Sequence, residues 1–135
     1  MASIRSEVVV SASPDEVWAA VRDVGRAHEL LFPGVLTDVR LEDDARVATF
    51  GNGMVVRELI VDLDDAERRF VYSSVGGRAT HHNSSIQVLP HEHGSRLIWI
   101  TDLLPHELRP AIAALVEQGS AVMKATLDAR PRSAG

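Results

Sequence analysis

The chain has 135 residues, the length of one ordinary domain able to bury about two-thirds of the surface its unfolded form exposes. Its 14 Lys and Arg against 19 Asp and Glu give a formal net charge of -5, and no stretch interleaves basic with aromatic residues, so a nucleic-acid partner is not expected. The absence of cysteine excludes disulfides, thiolate catalysis and cysteine-ligated metal sites, and leaves the core to hold the fold.

The segment from Met1 to Glu7 lacks the apolar run of a signal peptide, and no window is apolar enough to span a membrane, which together predict a cytoplasmic protein. Residues Ile4 to Ser11 alternate as a first strand should. Ser13-Pro14-Asp15-Glu16 then reads as a helix start, with Ser13 as cap, Pro14 in the first helical position and Glu16 completing a capping box. Val17, Trp18, Ala20 and Val21 carry that helix to about Asp23. Gly25 stops it, and a second short helix, Arg26 to Leu31, ends at Pro33-Gly34.

From Val35 the period changes to that of strands, with runs at Val35 to Glu42, Arg46 to Gly51, Met54 to Leu63, Arg69 to Val75, Thr80 to Leu89 and Arg96 to Leu103. The connections are short enough for antiparallel neighbours, and Asn52-Gly53 is a strong signal for a two-residue hairpin. Beyond Pro105, Leu108, Ile112, Leu115, Val116, Gly119, Val122, Met123, Thr126 and Leu127 recur at helical spacing along a helix of about six turns. Residues Arg130 to Gly135 read as a tail.

The order strand, two short helices, six-stranded meander and long final helix resembles the START-like, or SRPBCC, superfamily of birch-pollen-allergen-type proteins, polyketide cyclases and lipid carriers. The words match as well as the order. Ser11-Ala12-Ser13-Pro14-Asp15-Glu16-Val17-Trp18 looks like the entry to the first helix, and Arg26 through Val35 like the second. Glu58 through Asp65 with Arg69-Phe70-Val71-Tyr72 resembles the central hairpin, and Gly94 through Trp99 the last strand. The resemblance implies an α+β helix-grip fold, a curved antiparallel sheet of seven strands (β-α-α-β6-α) wrapped around the long C-terminal helix. It also implies one domain over residues 1–135 and an apolar cavity between sheet and helix, with its mouth near the second short helix and the strand loops.

In that geometry alternate residues face inward. The inward choices are Val56, Glu58 and Ile60; Phe70, Tyr72 and Ser74; His82, Ser84, Ile86 and Val88; and Leu97, Trp99, Thr101 and Leu103. Glu58 is the most interesting, since a carboxylate against an apolar cavity is penalised by desolvation and can serve as acid, base or anchor; the alternative is a salt bridge with a nearby arginine. Tyr72 and His82, on neighbouring strands, can converge with Glu58 on one bound molecule and move protons there. Trp99, Trp18, Phe70, Phe32 and Met123, with Leu115, supply lining of the kind that serves cores and pockets alike. Gly119, costly in mid-helix, either widens the cavity or lets the helix approach the sheet. His28 lies on the second short helix near the expected mouth and His106 begins the last helix; each can touch a ligand, with an exposed side chain the preferred alternative. His81 and His82 are adjacent on a strand and point to opposite faces, and His91 and His93 flank Glu92 in a loop, so no metal site is expected.

Three functions compete at this point. The first is binding of a small hydrophobic molecule, a lipid, a polyketide or a similar metabolite, by a monomer or homodimer with no membrane span. The second is cofactor-free cyclase or dehydratase chemistry by Glu58, Tyr72 and His82. The sequence lacks a Gly-x-Ser-x-Gly elbow, a phosphate loop and a His-Glu-x-x-His motif, so any such chemistry is acid-base work. The third is a protein-interaction module, for which the alternating strands show no exposed apolar patch.

Overall fold

The computed structural model describes residues 2–130. The elements run β1 (Ala2–Val10), α1 (Pro14–Arg22), α2 (Ala27–Leu30), β2 (Leu36–Glu42), β3 (Ala45–Phe50), β4 (Val55–Asp64), β5 (Arg69–Val75), β6 (His81–His91), β7 (Gly94–Leu104) and α3 (Arg109–Ala129). Short 3-10 turns precede α2, at Val24–Arg26, and α3, at His106–Leu108. The expected tail lies outside the described residues apart from Arg130. Among the described residues no helix is long and apolar enough to cross a membrane.

The seven strands form one antiparallel sheet in the order β1-β7-β6-β5-β4-β3-β2. The meander places each strand from β3 to β7 beside its predecessor, and β1 completes the order by pairing with β7 from Ala2↔Leu103 to Val10↔Ser95. Irregularities between Leu36 and Asp38 and between Ile60 and Asp62 bend the ladder, as an extra residue on one strand does. The sheet curves around α3, whose Val116, Gly119, Ser120, Met123 and Leu127 are buried against it.

Polar ties fix that helix along β1. Ser6 and Ser120 share a hydroxyl hydrogen bond of 2.7 Å, Lys124 donates to the Val9 carbonyl at 2.7 Å, and the Ser11 amide donates to Asp128 at 2.9 Å. Just beyond, Ser13 caps α1 by accepting the Glu16 amide at 3.3 Å. Asp65, in the β4–β5 turn, accepts the Trp18 indole N–H at 2.8 Å and the Arg22 guanidinium at 2.8 Å, and so ties α1 to that turn.

One local expectation is corrected. The β3–β4 connection is not a two-residue turn: Phe50 donates to the Met54 carbonyl at 2.8 Å and Gly53 to the Phe50 carbonyl at 2.9 Å, enclosing Gly51, Asn52 and Gly53. Gly53 takes the left-handed conformation that such three-residue loops place before the second strand. Gly51 is drawn toward the α2–β2 segment, where its amide bonds the Val35 carbonyl and a side chain would meet the Gly34 carbonyl at 2.7 Å.

Candidate functional site

Between the inner face of the sheet and α3 lies a cavity of about 370 Å³, within the range of small-molecule sites. The topology sets its place. β2, β4 and β6 begin at one end of the sheet, β3, β5 and β7 finish there, and α3 starts there too. The lining comes from that end: Val56 and Glu58 of β4, Tyr72 and Ser74 of β5, His82 and Ser84 of β6, Trp99 and Thr101 of β7, and Leu108 to Gly119 on the helix side. One step deeper on the same face, Ile60, Phe70, Ile86 and Leu97 fill the space and close the cavity.

That boundary decides where the candidate residues fall. Phe32, Val56, Glu58, Tyr72, His82, Ser84, Trp99, Thr101, Leu115 and Gly119 line the cavity. His28, Ile60, Phe70 and Met123 do not. Ile60 and Phe70 face inward beyond the closed end, where Phe70 stacks on Tyr72 with ring centroids 5.3 Å apart. Met123 is fully buried one turn past Gly119. His28 is left outside because α2 has only four residues: Leu31 and Phe32 both donate to the Ala27 carbonyl, the chain unwinds, and Phe32 turns toward Trp99 at a ring separation of 5.5 Å. The imidazole of His28 lies 3.5 Å from Glu29 instead. His106 is likewise outside the lining, and Trp18 is occupied with Asp65.

Glu58 takes the salt-bridge alternative. Its partner is Arg46 of β3, directly opposite in register, with Nε donating to Oε1 at 2.8 Å; both side chains are buried. Arg46 also donates to the Val24 carbonyl at 3.2 Å and sits 5.2 Å from the ring centres of both Phe70 and Tyr72, so its charge is met by a carboxylate, a carbonyl and two aromatic faces.

The Tyr72 phenol accepts the Trp99 indole N–H at 3.2 Å. Burial, reinforced by the Glu58 charge, pushes its pKa up to about 12, so it keeps its proton across the physiological range. Beside it Ser84 and Thr101 share a hydrogen bond of 2.6 Å. The ring of His82 lies 6.0 Å from that of Tyr72, and its Nδ1 accepts the Ser74 amide at 3.0 Å. That bond assigns the proton of the neutral imidazole to Nε2, and burial holds the pKa of His82 below its ordinary value. The sheet wall therefore carries a strip of hydrogen-bonding groups, while the facing wall is Phe32, Ile112, Leu115, Val116 and Gly119.

Sequence reasoning missed Arg46, Phe50, Met54, Arg78 and Ile112, all of which line the cavity. It also missed the exposed apolar side chains at the mouth end: Met54, Val55, Val75 and Leu104 sit where strands and helix meet the opening. Gly119 combines the two roles weighed for it. It lines the cavity, and a Cβ there would lie 3.1 Å from two ring carbons of Trp99 and 3.5 Å from Phe32.

A seven-stranded antiparallel sheet curled about a long C-terminal helix, with a cavity between them, is the helix-grip architecture of the START-like superfamily. Residues 1–130 match the family described as polyketide cyclase / dehydrase and lipid transport, and the chain belongs to it. No curated protein matches the sequence. Among solved structures, an uncharacterised protein from Bacillus thuringiensis is similar with a TM-score of 0.83 at 18% identity, over 93% of this chain and 98% of that one. The major latex-like protein 151 of Panax ginseng gives 0.77 at 12% identity, over 93% and 97%. Norcoclaurine synthase of Thalictrum flavum, in complex with dopamine and hydroxybenzaldehyde, gives 0.64 at 18%, over 97% and 89%. At these identities the likeness is one of fold.

Proposed function

We propose that the protein is a cytoplasmic, single-domain binder of a small hydrophobic molecule of the lipid or polyketide kind, held between the sheet and α3. The observation that carries this reading is the two-sided cavity: an apolar wall on the helix side for the body of a ligand, and the strip of Tyr72, His82, Ser84 and Thr101 on the sheet side to orient it. Apolar lining with a few placed polar groups is what small-molecule sites share. The family description supports the same reading.

Glu58, Tyr72 and His82 do line one cavity, which keeps acid-base catalysis as the second reading. Binding is preferred because each of the three is already engaged, Glu58 by Arg46, Tyr72 by Trp99 and His82 by Ser74. Native mass spectrometry of the protein from its own host, followed by denaturing extraction, tests the proposal. A retained apolar metabolite is the expected result, and Glu58→Gln and Tyr72→Phe then separate binding from turnover. A protein that emerges empty and does not enhance the fluorescence of an apolar dye overturns it.

A further inference from the structure

The cavity has a charge balance that its chemistry does not otherwise explain. Three residues of its lining carry a full charge near neutrality: Arg46, Glu58 and Arg78. Arg46 and Glu58 neutralise each other at 2.8 Å, and His82 is uncharged there because burial lowers its pKa. Arg78 remains, with no carboxylate in ion-pair range among the described residues, so the lining carries one net positive charge in a chain whose formal charge is -5.

The backbone that carries Arg78 is tied on one side. Arg78 follows Gly76 and Gly77, both in the left-handed conformation, in the loop between β5 and β6 at the mouth. The loop is pinned behind it, where Ala79 packs on the core and the Thr80 amide donates to the Leu104 carbonyl at 2.8 Å. Its side chain is exposed, so an anion meeting it there keeps part of its hydration and avoids the cost of full burial. Deeper in the cavity, the Arg46 guanidinium is already taken by the Glu58 carboxylate, so it offers an anion no free cation.

We propose that the ligand is an amphipathic monocarboxylate, with its acid head on Arg78 at the mouth and its apolar body inside against Trp99, Leu115 and Gly119. This rests on the cavity being a binding site and adds the class of molecule and its direction of entry. Carboxylate is the head that the planar guanidinium matches in two parallel hydrogen bonds.

The test is displacement of the uncharged dye Nile red by two matched pairs, decanoic acid with decan-1-ol and 2-naphthoic acid with its neutral amide. The expected result is that at least one acid binds about fivefold or more tightly than its neutral partner at low salt, with the margin shrinking as salt is added. Arg78→Gln should abolish the margin, Arg78→Lys retain part of it, and Arg109→Gln, which removes an exposed cation outside the lining, leave it intact. Equal binding of acid and neutral partner, a margin that survives Arg78→Gln, or one lost equally in Arg109→Gln overturns the carboxylate assignment while dye binding leaves the cavity reading standing. If the dye itself does not bind, both fall together.

Discussion

The Nδ1 of His82 accepts the backbone N–H of Ser74 at 3.0 Å, at the point where the ladder between β5 and β6 has ended. Backbone pairing of these strands stops at Tyr72↔Ser84, although β5 continues to pair with β4 as far as Val75 and β6 with β7 from His81. The gap at the mouth is bridged by side chains, His82 to Ser74 and the Ser73 hydroxyl to the His82 carbonyl. A protonated imidazole has no lone pair to accept with, so acid removes one half of this clasp.

The groups that face His82 are Glu58, whose charge favours the imidazolium, the neighbouring His81, which opposes it, and the uncharged Tyr72; burial outweighs them and lowers the pKa. The unfolded chain therefore takes up this proton at higher pH than the folded one. Stability should fall as pH drops below about 6.5 and level off below the folded value. His82→Asn keeps an acceptor without a titration in this range. Urea unfolding between neutral and mildly acidic pH should show a steeper loss for the wild type than for the variant. Parallel curves would remove His82 as the cause.

Arg46→Met leaves the Glu58 carboxylate buried without its partner, and the expected cost is about 3 kcal/mol. Replacing both, with Arg46→Met and Glu58→Leu, should recover much of that loss, since paired desolvation is then no longer required. Denaturant titrations of the two single variants and the double variant check this. A double variant as unstable as the sum of the singles would show that the residues act independently.

Gly119→Ala should uncouple stability from binding. Alanine favours the helix by about 1 kcal/mol, but its Cβ presses on Trp99, which is anchored through its indole N–H to Tyr72. The expected outcome is an unchanged or raised Tm with weakened binding of an apolar dye, read by calorimetry and fluorescence titration. Undiminished dye binding would show that the contact with Trp99 relaxes without narrowing the cavity.

Asp65→Ala tests the opposite end. It frees the Trp18 indole N–H and the Arg22 guanidinium that tie α1 to the β4–β5 turn, so Tm should fall while dye affinity stays the same. The Arg22 guanidinium and then the Trp18 N–H hold the Asp65 carboxyl below its ordinary pKa. Its contribution is therefore present above the unfolded value and lost as pH falls below about 4. A fall in dye affinity at unchanged Tm would contradict this division between the two ends.

Periodicity and turn chemistry carried the element order, the capped start of α1 and the inward parity of β4 to β7, because a strand with one buried face must alternate and a helix on a sheet must show a stripe. Parity says which face a side chain takes but not how far along the strand the cavity reaches. Ile60 and Glu58 are therefore indistinguishable in the sequence, although one packs the closed end and the other lines the cavity.

The pairing of Arg46 with Glu58 was hidden for a sharper reason. A two-residue turn at Asn52-Gly53 would set Val47 opposite Glu58, whereas the three-residue loop shifts the register by one and brings Arg46 there. Composition and pattern by themselves determined that this chain is an α+β meander closed by a long helix, since those follow from local propensity and the need to bury one face. Only the tertiary structure decided which charges meet, where the cavity ends and which arginine at its mouth has no carboxylate partner among the described residues, because each depends on register and loop length.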